Sequence, residues 1–565
     1  MRLCRTTLAV VVFAAARPAA AQESPDAPVD FIPVPDRWRI PFGDWHRYPD
    51  EGRYVEGTEE YPFSPGFTLN PYRQNTLKGD YPIFPALLGQ EWFLALTVTS
   101  DTIVEERRLP TPSGVSTSDP NADGFFGRGR QLFANENLLL SFELFKGDAG
   151  YRPRDLELRL TPVFSRNYLR LEENNGTAID PREGEIRNDR WLALQEAFLE
   201  YHIADTSPFY DFVSIRAGVQ GFTSDFRGFV FSDNEPGIRL FGSADSTRFN
   251  WNVAWFDFAE KDTNSGLVKV DDLRQQQLTV VNGFLQDCFA LGWTHELSVV
   301  WNRDHAGKFV DDNGFPNRPT RIGTIETHDV DTLYLGWTSD GHAGPINISH
   351  ALYEVVGKDD GNPLAGRSQK VNAQMAALEL SRDFDWLRPK VSLFFASGDA
   401  SPTDGRATGF DSVFDNTNFV GGAFSFWNRQ GIPLTGTAVT LVNRLSLLPD
   451  LRTSKTHDQA NYVNPGILIA NAGLEAKLTQ ELKLDLNANW MRFARTDALE
   501  LALNDDQIRP EIGWDLSAGI TARPWLTDNV IVGAGIAWLI PEGGFRDIYG
   551  GQSLLSAFLA ITVTW

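Results

Sequence analysis

The stretch Leu555-Ser556-Ala557-Phe558-Leu559-Ala560-Ile561-Thr562-Val563-Thr564-Trp565 alternates without interruption and closes the sequence. Because successive side chains of a β-strand point to opposite faces, the odd-numbered residues form one fully apolar face. The even-numbered residues form a mixed face of small, polar and aromatic side chains. The pattern predicts a β-strand with one side suited to lipid or to a hydrophobic core.

The first residues have the features of a secretory signal peptide. Arg2 and Arg5 give a positive start, residues 8–16 form a short apolar run, and Ala19-Ala20-Ala21 offers a cleavage site. We expect residues 1–21 to be removed on export.

Composition argues against several classes of function. The chain has a formal net charge of −23, which is a poor match to the phosphates of a nucleic acid, so no nucleic-acid partner is expected. Of its two cysteines only Cys288 lies beyond the predicted signal, so the exported chain would have no intrachain disulfide. No run of about 18 apolar residues follows the signal, so no transmembrane helix is predicted.

The alternation of the last strand recurs along the chain. Residues 482–490 place leucine, alanine and tryptophan on one face and lysine, aspartate and asparagine on the other. Such patterns predict half-buried strands, although 277–287 and 346–357 alternate poorly. The predicted strand cores are 91–100, 135–145, 154–165, 190–204, 211–222, 236–244, 248–258, 277–287, 293–303, 330–338, 346–357, 371–382, 389–398, 466–478, 482–493, 512–523, 530–540 and 554–565.

The connections between these strands alternate in length. Short connections such as 245–247 and 479–481 alternate with long ones such as 304–329 and 399–465. Outer-membrane barrels have short periplasmic turns and longer external loops. We therefore predict an all-β fold over residues 91–565, a transmembrane antiparallel β-barrel of about 18 strands in the bacterial cell outer membrane, with both chain ends in the periplasm.

This location predicts outer-membrane lipid and lipopolysaccharide as surroundings and the barrel-assembly machinery as a partner. By similarity to such barrels in general, Phe558, Val563 and Trp565 are expected to form the assembly signal of the last strand. The oligomeric state is left open by the sequence.

Two segments outside the strands leave alternatives open. Residues 22–90 are rich in proline and aromatic side chains, which fits either a periplasmic linker or an ordered segment in the barrel mouth. The long loop 399–465 either folds inward and narrows the pore or forms an external cap. Within it, residues 438–448 have apolar side chains at helical spacing.

The loop Ser397-Gly398-Asp399-Ala400-Ser401-Pro402-Thr403-Asp404-Gly405-Arg406, followed by Gly409-Phe410-Asp411, resembles a loop of alginate-export-type outer-membrane proteins. The resemblance implies an eighteen-stranded barrel that passes an anionic polysaccharide through an arginine-lined bore. In this chain the candidate inward positions carry charges of both signs.

If the apolar face of each strand meets lipid, the opposite face meets the lumen, where charged residues set the solute preference of a pore. The basic residues Arg159, Arg216 and Arg239 are expected to form a stripe opposed by Glu196 and Glu200. The alternative is that the charges pair across strands as structural ladders. The pore-lining candidates are Arg159, Arg216, Arg239, Glu143, Glu157, Glu196, Glu200, Glu475, Lys477, Lys483, Asp485 and Asp515.

Motifs that carry chemistry are weak. The sequence has no G-x-S-x-G, H-E-x-x-H or P-loop pattern. Residues 119–124 match the opening of a calcium loop, but the twelfth position is Arg130 where a glutamate should be, so a simple turn is expected. We predict no catalytic residues, no cofactor, no metal site and no enzyme activity.

The predicted function is an outer-membrane channel for passive diffusion of small hydrophilic or charged solutes. The alternatives are a substrate-specific channel for export or uptake of a saccharide, polysaccharide or organic acid, and a barrel scaffold for a periplasmic partner. An outer-membrane enzyme would need a catalytic constellation that the sequence does not show.

Overall fold

The computed structural model describes residues 76–89, 91–113, 125–147, 153–436 and 439–565. The predicted signal peptide, most of the segment 22–90 and the calcium-loop match at 119–124 lie outside the described residues.

Eighteen strands, each antiparallel to its neighbours in chain order, form a closed barrel, as the alternating pattern predicts. The strands are β1 Trp92–Arg108, β2 Arg130–Lys146, β3 Leu156–Leu171, β4 Ile186–Asp205, β5 Phe212–Thr223, β6 Ser232–Ala244, β7 Phe249–Lys261, β8 Val268–Leu285, β9 Trp293–Asp304, β10 Val330–Ala343, β11 Ile346–Asn362, β12 Arg367–Arg382, β13 Leu387–Ala396, β14 Ile467–Lys477, β15 Leu482–Phe493, β16 Glu511–Ala522, β17 Val530–Pro541 and β18 Leu554–Thr564.

The first and last strands close the barrel. In the ladder between β1 and β18, Asp101 lies opposite Thr562, and the Thr562 hydroxyl donates to the Asp101 carboxylate at 2.8 Å. Beyond the end of β18, the backbone N–H and C=O of Trp565 both bond to Val98. Closure leaves no unpaired sheet edge, which a strand in lipid requires.

The two faces of the wall differ as the sequence predicts. On β18, Leu555, Leu559 and Val563 are 44–47% exposed on the outer face, whereas Ser556 on the inner face is buried. Exposed tryptophans accompany the leucines on outer faces, as Trp514 on β16 shows. An apolar outer face around a polar interior defines a transmembrane barrel of the outer-membrane type.

Many of the strands, though not β10, β13, β14 or β15, extend further towards the long loops than predicted. The two weakly alternating segments belong to two of the longer strands, β8 and β11, and β1 continues to Arg108, so the predicted loop 101–134 shrinks to 109–129. The outer ends of strands carry polar residues on both faces, because they rise above the hydrocarbon. The alternation of apolar and polar residues is therefore lost there, although the backbone hydrogen bonds between strands continue.

Regular structure outside the wall is sparse in the described part of the chain. None of its helices is long and apolar enough to cross a bilayer. The helices are Pro85–Leu88, Phe426–Arg429, Asp497–Leu503 and Gly543–Tyr549, with 3-10 turns at Pro181–Glu183, Gly422–Phe424 and Pro524–Leu526. The short strands are Lys78–Pro82, Phe309–Val310, Pro316–Arg318, Arg406–Ala407, Ile432–Pro433 and Thr440–Val442.

The helical spacing over residues 438–448 is misleading. Thr440–Val442 is a short strand paired with Ile432–Pro433, and the described residues that follow it to 448 are not helical. Leu441, Val442, Leu447 and Leu448 are all buried. A segment enclosed on every side buries its apolar groups in any conformation, so their spacing carries no helical signal.

The described part of the segment 22–90 touches the end of the wall that carries the short turns. The short strand Lys78–Pro82 pairs with β1 where β18 has already ended. The Lys78 ammonium lies 4.0 Å from the centre of the Trp565 ring, which fits a cation–π contact. The chain therefore covers its own terminal aromatic residue.

We expect the double substitution Asp101→Cys/Thr562→Cys, in a Cys288→Ser background, to form a disulfide on mild oxidation, because the two side chains meet across the β1–β18 ladder. Non-reducing gel electrophoresis after boiling would show a compact, faster-migrating band. The pair Asp101→Cys/Thr521→Cys is the control, since Thr521 lies on β16, away from β1. Equal cross-linking of both pairs would contradict the closed order of strands.

Candidate functional site

The interior of the barrel is occupied by the connection between β13 and β14. This segment, residues 397–466, is called here the inserted loop. Its contacts reach the inner faces of strands on opposite sides of the barrel, and its aromatic residues Phe410, Phe414, Phe426 and Trp427 are buried. Of the two sequence alternatives for the loop, the structure shows the inward one.

Asp515 on β16 is one anchor of the inserted loop. Its carboxylate accepts hydrogen bonds from the Ser425 hydroxyl at 2.5 Å and from the backbone N–H groups of Phe426 and Trp427, both at 3.1 Å. It thereby caps the short helix that begins at Phe426. Asp515 is on the inner face, as expected, but it is fully buried and therefore cannot be a lining residue in contact with water.

Glu105 on β1 is a second anchor, on the other side of the seam. Its Oε1 accepts from Arg429 Nε at 2.9 Å and from Gln430 Nε2 at 2.6 Å. The Ser556 hydroxyl of β18 donates to the same oxygen at 2.7 Å. Glu105 is fully buried, so its charge depends on these donors. Sequence reasoning missed it because it fell in a predicted loop.

On this side of the interior, the inserted loop also packs against the wall through an aromatic side chain. Phe424 lies over Gly519 and Gly535, where a β-carbon would stand 2.1 and 2.8 Å from its ring carbons. The Phe424 ring also stacks on Phe558 at 5.8 Å, and the Arg429 guanidinium lies 3.5 Å from the centre of the Phe558 ring. Glycine is required at position 519 because the loop comes so close to the wall, and at position 535 because the Phe558 ring of β18 lies even nearer, at 2.5 Å. Phe558, predicted as part of an assembly signal, thus also supports the loop from the inner face.

The opposite wall holds the inserted loop through hydroxyl and guanidinium groups. The phenol oxygens of Tyr334 on β10 and Tyr462 in the loop are 2.5 Å apart, and Tyr334 donates to the Asp411 carbonyl at 3.0 Å. Arg274 on β8 donates to the carbonyls of Thr456 and Asp458 at 2.6 and 3.0 Å. The loop is therefore tied to both halves of the barrel.

Within the inserted loop, Arg452 organises the fold. It is buried and donates to the Asp411 carboxylate at 2.7 Å and to the Ser412 carbonyl at 2.5 Å. Burial acts to lower the pKa of Arg452, but the nearby charges of Asp411 and Asp450 outweigh it and raise the pKa above its usual value. The arginine thus remains charged, as its buried acidic neighbours require.

A second intrusion comes from the tips of β5 and β6. Residues 220–235, called here the inward hairpin, leave the wall after the last β4–β5 pair at Val219 and before the first β6–β7 pair at Gly237. Where they leave, the β8 backbone N–H of Val268 bonds to the Gln195 side chain of β4 at 3.2 Å. The wall stays connected while the hairpin turns into the lumen.

The inward hairpin meets the inserted loop inside the barrel. Phe231 forms a bridge with Phe414, and the Asn416 backbone N–H donates to the Gly228 carbonyl at 3.1 Å. Arg227 at its tip reaches Glu379 on β12 at 3.1 Å. Sequence reasoning placed residues 220–222 at the end of a predicted strand and residues 223–235 in the connection that follows it. Its only sequence signal is an unusual concentration of phenylalanine around residues 222–231.

Together these elements leave a polar pocket near the hairpin tip. Its volume is about 510 Å³. Its lining residues are Thr223, Phe226, Arg227, Ser232, Asp340, Asn416 and Asn418.

The predicted lining charges of β2, β3 and β4 form one network on the inner face. Arg159 lies 3.1 Å from Glu143, 3.0 Å from Glu157 and 3.8 Å from Glu196. Arg154, which the sequence did not single out, adds ion pairs to Glu143 and Glu157 at 3.0 and 2.9 Å. The side chains of Arg159 and Glu196 are about one-quarter exposed, so the network faces water.

The neighbouring strands continue this charged surface. Arg216 pairs with Glu200, and Arg239 lies opposite Arg216 across the β5–β6 ladder, donating to Asn252 at 2.8 Å. The expected opposition of a basic stripe and an acidic wall is not formed. Both signs share one wall because cross-strand neighbours pair directly.

A second charged group lies on β14 and β15. Glu475 accepts from Lys390 at 3.1 Å and pairs with Lys483 at 3.0 Å, and Lys483 also pairs with Asp485 at 3.0 Å. Lys477 is opposite Lys483 in the ladder and is exposed at the strand end. All predicted lining residues therefore lie on the inner face. Among them Asp515 alone lies under the inserted loop.

The described residues contain no group of three or more histidine, cysteine, aspartate or glutamate side chains placed to hold a metal ion.

Comparison with solved structures finds porins. Pseudomonas aeruginosa OccK9 (OpdG) is 9% identical, with a TM-score of 0.47 over 83% of this chain and 98% of that one. A BenF-like porin from Pseudomonas fluorescens Pf-5 is 10% identical, with a TM-score of 0.46 over 84% and 98%. Pseudomonas aeruginosa OccK2 (OpdF) in complex with glucuronate is 9% identical, with a TM-score of 0.44 over 83% and 97%. No protein-family model and no curated protein matches the sequence.

We expect Asp515→Ala to release the inserted loop near Ser425, because three donors lose their acceptor in a buried site. Loss of hydrogen bonds to a charged acceptor should lower the free energy of unfolding by about 2–4 kcal/mol. Denaturant unfolding measures this, and faster trypsin cleavage after Arg429 reports the local release.

Asp497→Ala is the control, because its carboxylate has no hydrogen bond to the loop among the described residues. Wild-type trypsin resistance in Asp515→Ala would contradict the anchoring role.

Proposed function

We propose that the protein is a passive diffusion channel of the outer membrane for small hydrophilic solutes that carry charge. The observation that carries the proposal is the set of partly exposed ion pairs inside a closed barrel whose outer face is apolar. Charges such as Arg159 and Glu196 would be costly to bury without water. Their exposure indicates a wet interior, and selection would occur by size and charge without a chemical step.

The inserted loop and the inward hairpin support the size part of this proposal. Both occupy the cross-section of the lumen, and both are fixed to the wall by ionic contacts: Arg429 to Glu105 for the inserted loop and Arg227 to Glu379 for the inward hairpin. A solute must pass beside them, so they would exclude large molecules. The described contacts bind them on many sides, which favours a fixed constriction over a freely moving lid.

The charge pattern supports solutes that carry both polar and ionic groups. Along β2, β3 and β4 the described positive and negative groups alternate from strand to strand, so a solute at this wall meets both signs. A sugar acid or another organic acid could exchange its water for arginine donors while its hydroxyls meet carboxylates. OccK2 was solved with glucuronate. A substrate-specific saccharide or organic-acid channel is the second candidate.

Export of an anionic polysaccharide, which the alginate-export-type resemblance implies, is less well supported. A polyanion needs a continuous cationic path, whereas Arg159 and Arg216 are each neutralised by glutamates. A scaffold for a periplasmic partner stays an alternative that conductance decides.

Shortening the inserted loop should raise the conductance. The Asp399 backbone N–H bonds to the Asn464 carbonyl at 2.9 Å, so residues 400–463 can be replaced by Asn-Gly with little strain on β13 and β14. We expect single-channel conductance in a planar bilayer to rise several-fold, because the main obstruction is removed.

The control is a variant with Asp497→Ala in the next external loop, which should conduct as the wild type does. If the wild type and the shortened protein both insert but neither conducts, the channel proposal is wrong and the scaffold is favoured.

Reversing one lining charge should change ion preference. In Arg216→Glu, two carboxylates replace an ion pair on the inner face. We expect the reversal potential in a salt gradient to shift towards cation selectivity. Arg382→Glu makes the same change in net charge on the outer face of β12 and should leave the reversal potential unchanged. Equal shifts in both variants would contradict the assignment of Arg216 to the permeation path.

A further inference from the structure

The outer face of β2, β3 and β4 changes from apolar to charged side chains at one height along the barrel axis. Leu138, Phe164 and Leu192 lie side by side across these strands and are 37–59% exposed, which marks the apolar band. One outward position further towards the long loops, the same three strands carry Glu136, Arg166 and Arg190. The chain therefore leaves the hydrocarbon here.

Two arginines lie directly opposite one another at this boundary. Arg166 on β3 pairs in register with Arg190 on β4, and both side chains are exposed. Arg170, two outward positions further along β3, is exposed as well. These three arginines are called here the outer arginine cluster.

The neighbouring acidic group does not neutralise the outer arginine cluster. Glu136 lies opposite Arg166, but its carboxylate accepts from the Ser100 hydroxyl at 2.7 Å and from the Thr102 hydroxyl. Within the described part of the chain, no aspartate or glutamate lies within ion-pair distance of Arg166, Arg170 or Arg190. Like charges directly opposite in a ladder are destabilising, so an external anion bound between them would stabilise this arrangement.

The guanidinium groups at this height are well suited to bind a phosphate. Arginine presents a planar fork of donors that binds phosphate oxygens in pairs, which lysine cannot do. The apolar residues immediately below, Phe164 and Leu192, can contact acyl chains at the same time. A ligand that places phosphate above and hydrocarbon below matches both surfaces.

We propose that the outer arginine cluster binds a phosphate of lipid A, the phosphorylated glycolipid of the outer leaflet. The proposal rests on the outer-membrane location in the proposed function. Arg166 and Arg190 would share one phosphate, and Arg170 would reach the sugar-phosphate part further out. The bound phosphate offsets the repulsion between the two opposed arginines and fixes the height of the barrel in the membrane.

Binding of fluorescent bisphosphorylated lipid A to the purified full-length protein in detergent micelles tests this site. In Arg166→Gln/Arg190→Gln we expect the dissociation constant to rise by at least about tenfold, because charge-assisted hydrogen bonds are lost. Dephosphorylated lipid A should bind the wild type as weakly as lipid A binds this variant. Arg382→Gln, an exposed outward arginine at the other rim, should bind lipid A as the wild type does.

The outcomes separate the possible ligands. Wild-type affinity in the double glutamine variant overturns the proposal, and so does displacement of lipid A by phosphatidylglycerol as effective as by lipid A itself. Arg166→Lys/Arg190→Lys keeps the charge and should bind with intermediate affinity. It provides the decisive comparison if the glutamine variant lacks the heat-modifiable mobility of a folded barrel.

The channel is measured apart from the lipid site. In lipopolysaccharide-free phosphatidylcholine bilayers, the double glutamine variant should conduct as the wild type does. If neither protein conducts, the proposed function fails, while the lipid A affinities still decide the site.

Discussion

The structure depends on one constraint: in lipid, every backbone N–H and C=O of the wall must find a partner within the protein. The ladder between β1 and β18 satisfies it, because it joins the two strands that would otherwise be edges. Once the sheet is closed, each strand must present apolar side chains outward. The interior is then free to hold polar groups, loops and water.

This constraint explains why so much of the wall can be predicted from the sequence. Each of the eighteen predicted cores overlaps one strand. The need for an apolar outer face makes apolar and polar residues alternate along each strand, and this alternation is visible in the sequence. Residues 277–285 lack this alternation yet belong to β8, and the inward hairpin covers part of their inner face, where Asn282 donates to the Ser224 carbonyl at 3.0 Å. With both faces partly apolar, pairing continues where alternation disappears. The pattern thus reports what surrounds a strand more than whether it is one.

For the interior, the sequence predicts only which side chains point inward, not what they contact there. Asp485 and Asp515 occupy similar positions in similar dyads, and both lie on the inner side. Asp485 is mostly buried but pairs with the partly exposed Lys483, whereas Asp515 lies beneath the inserted loop and caps a helix. That difference comes from a segment distant in sequence, and no local pattern contains it. The inward turn at residues 220–235 was missed for the same reason, since its partners Glu379 and Phe414 lie far along the chain.

The contacts of Gln430 give the inserted loop a second role. Its side-chain amide donates to Glu105 on β1 and to Ser556 on β18. One loop residue therefore contacts both strands of the pair that closes the barrel. A barrel has no covalent bond along the line where these strands meet, and its first and last strands are the two most easily parted. The loop that narrows the bore thus also stabilises the closing pair of strands. Loss of its contacts would make it easier for β1 and β18 to separate laterally in the membrane.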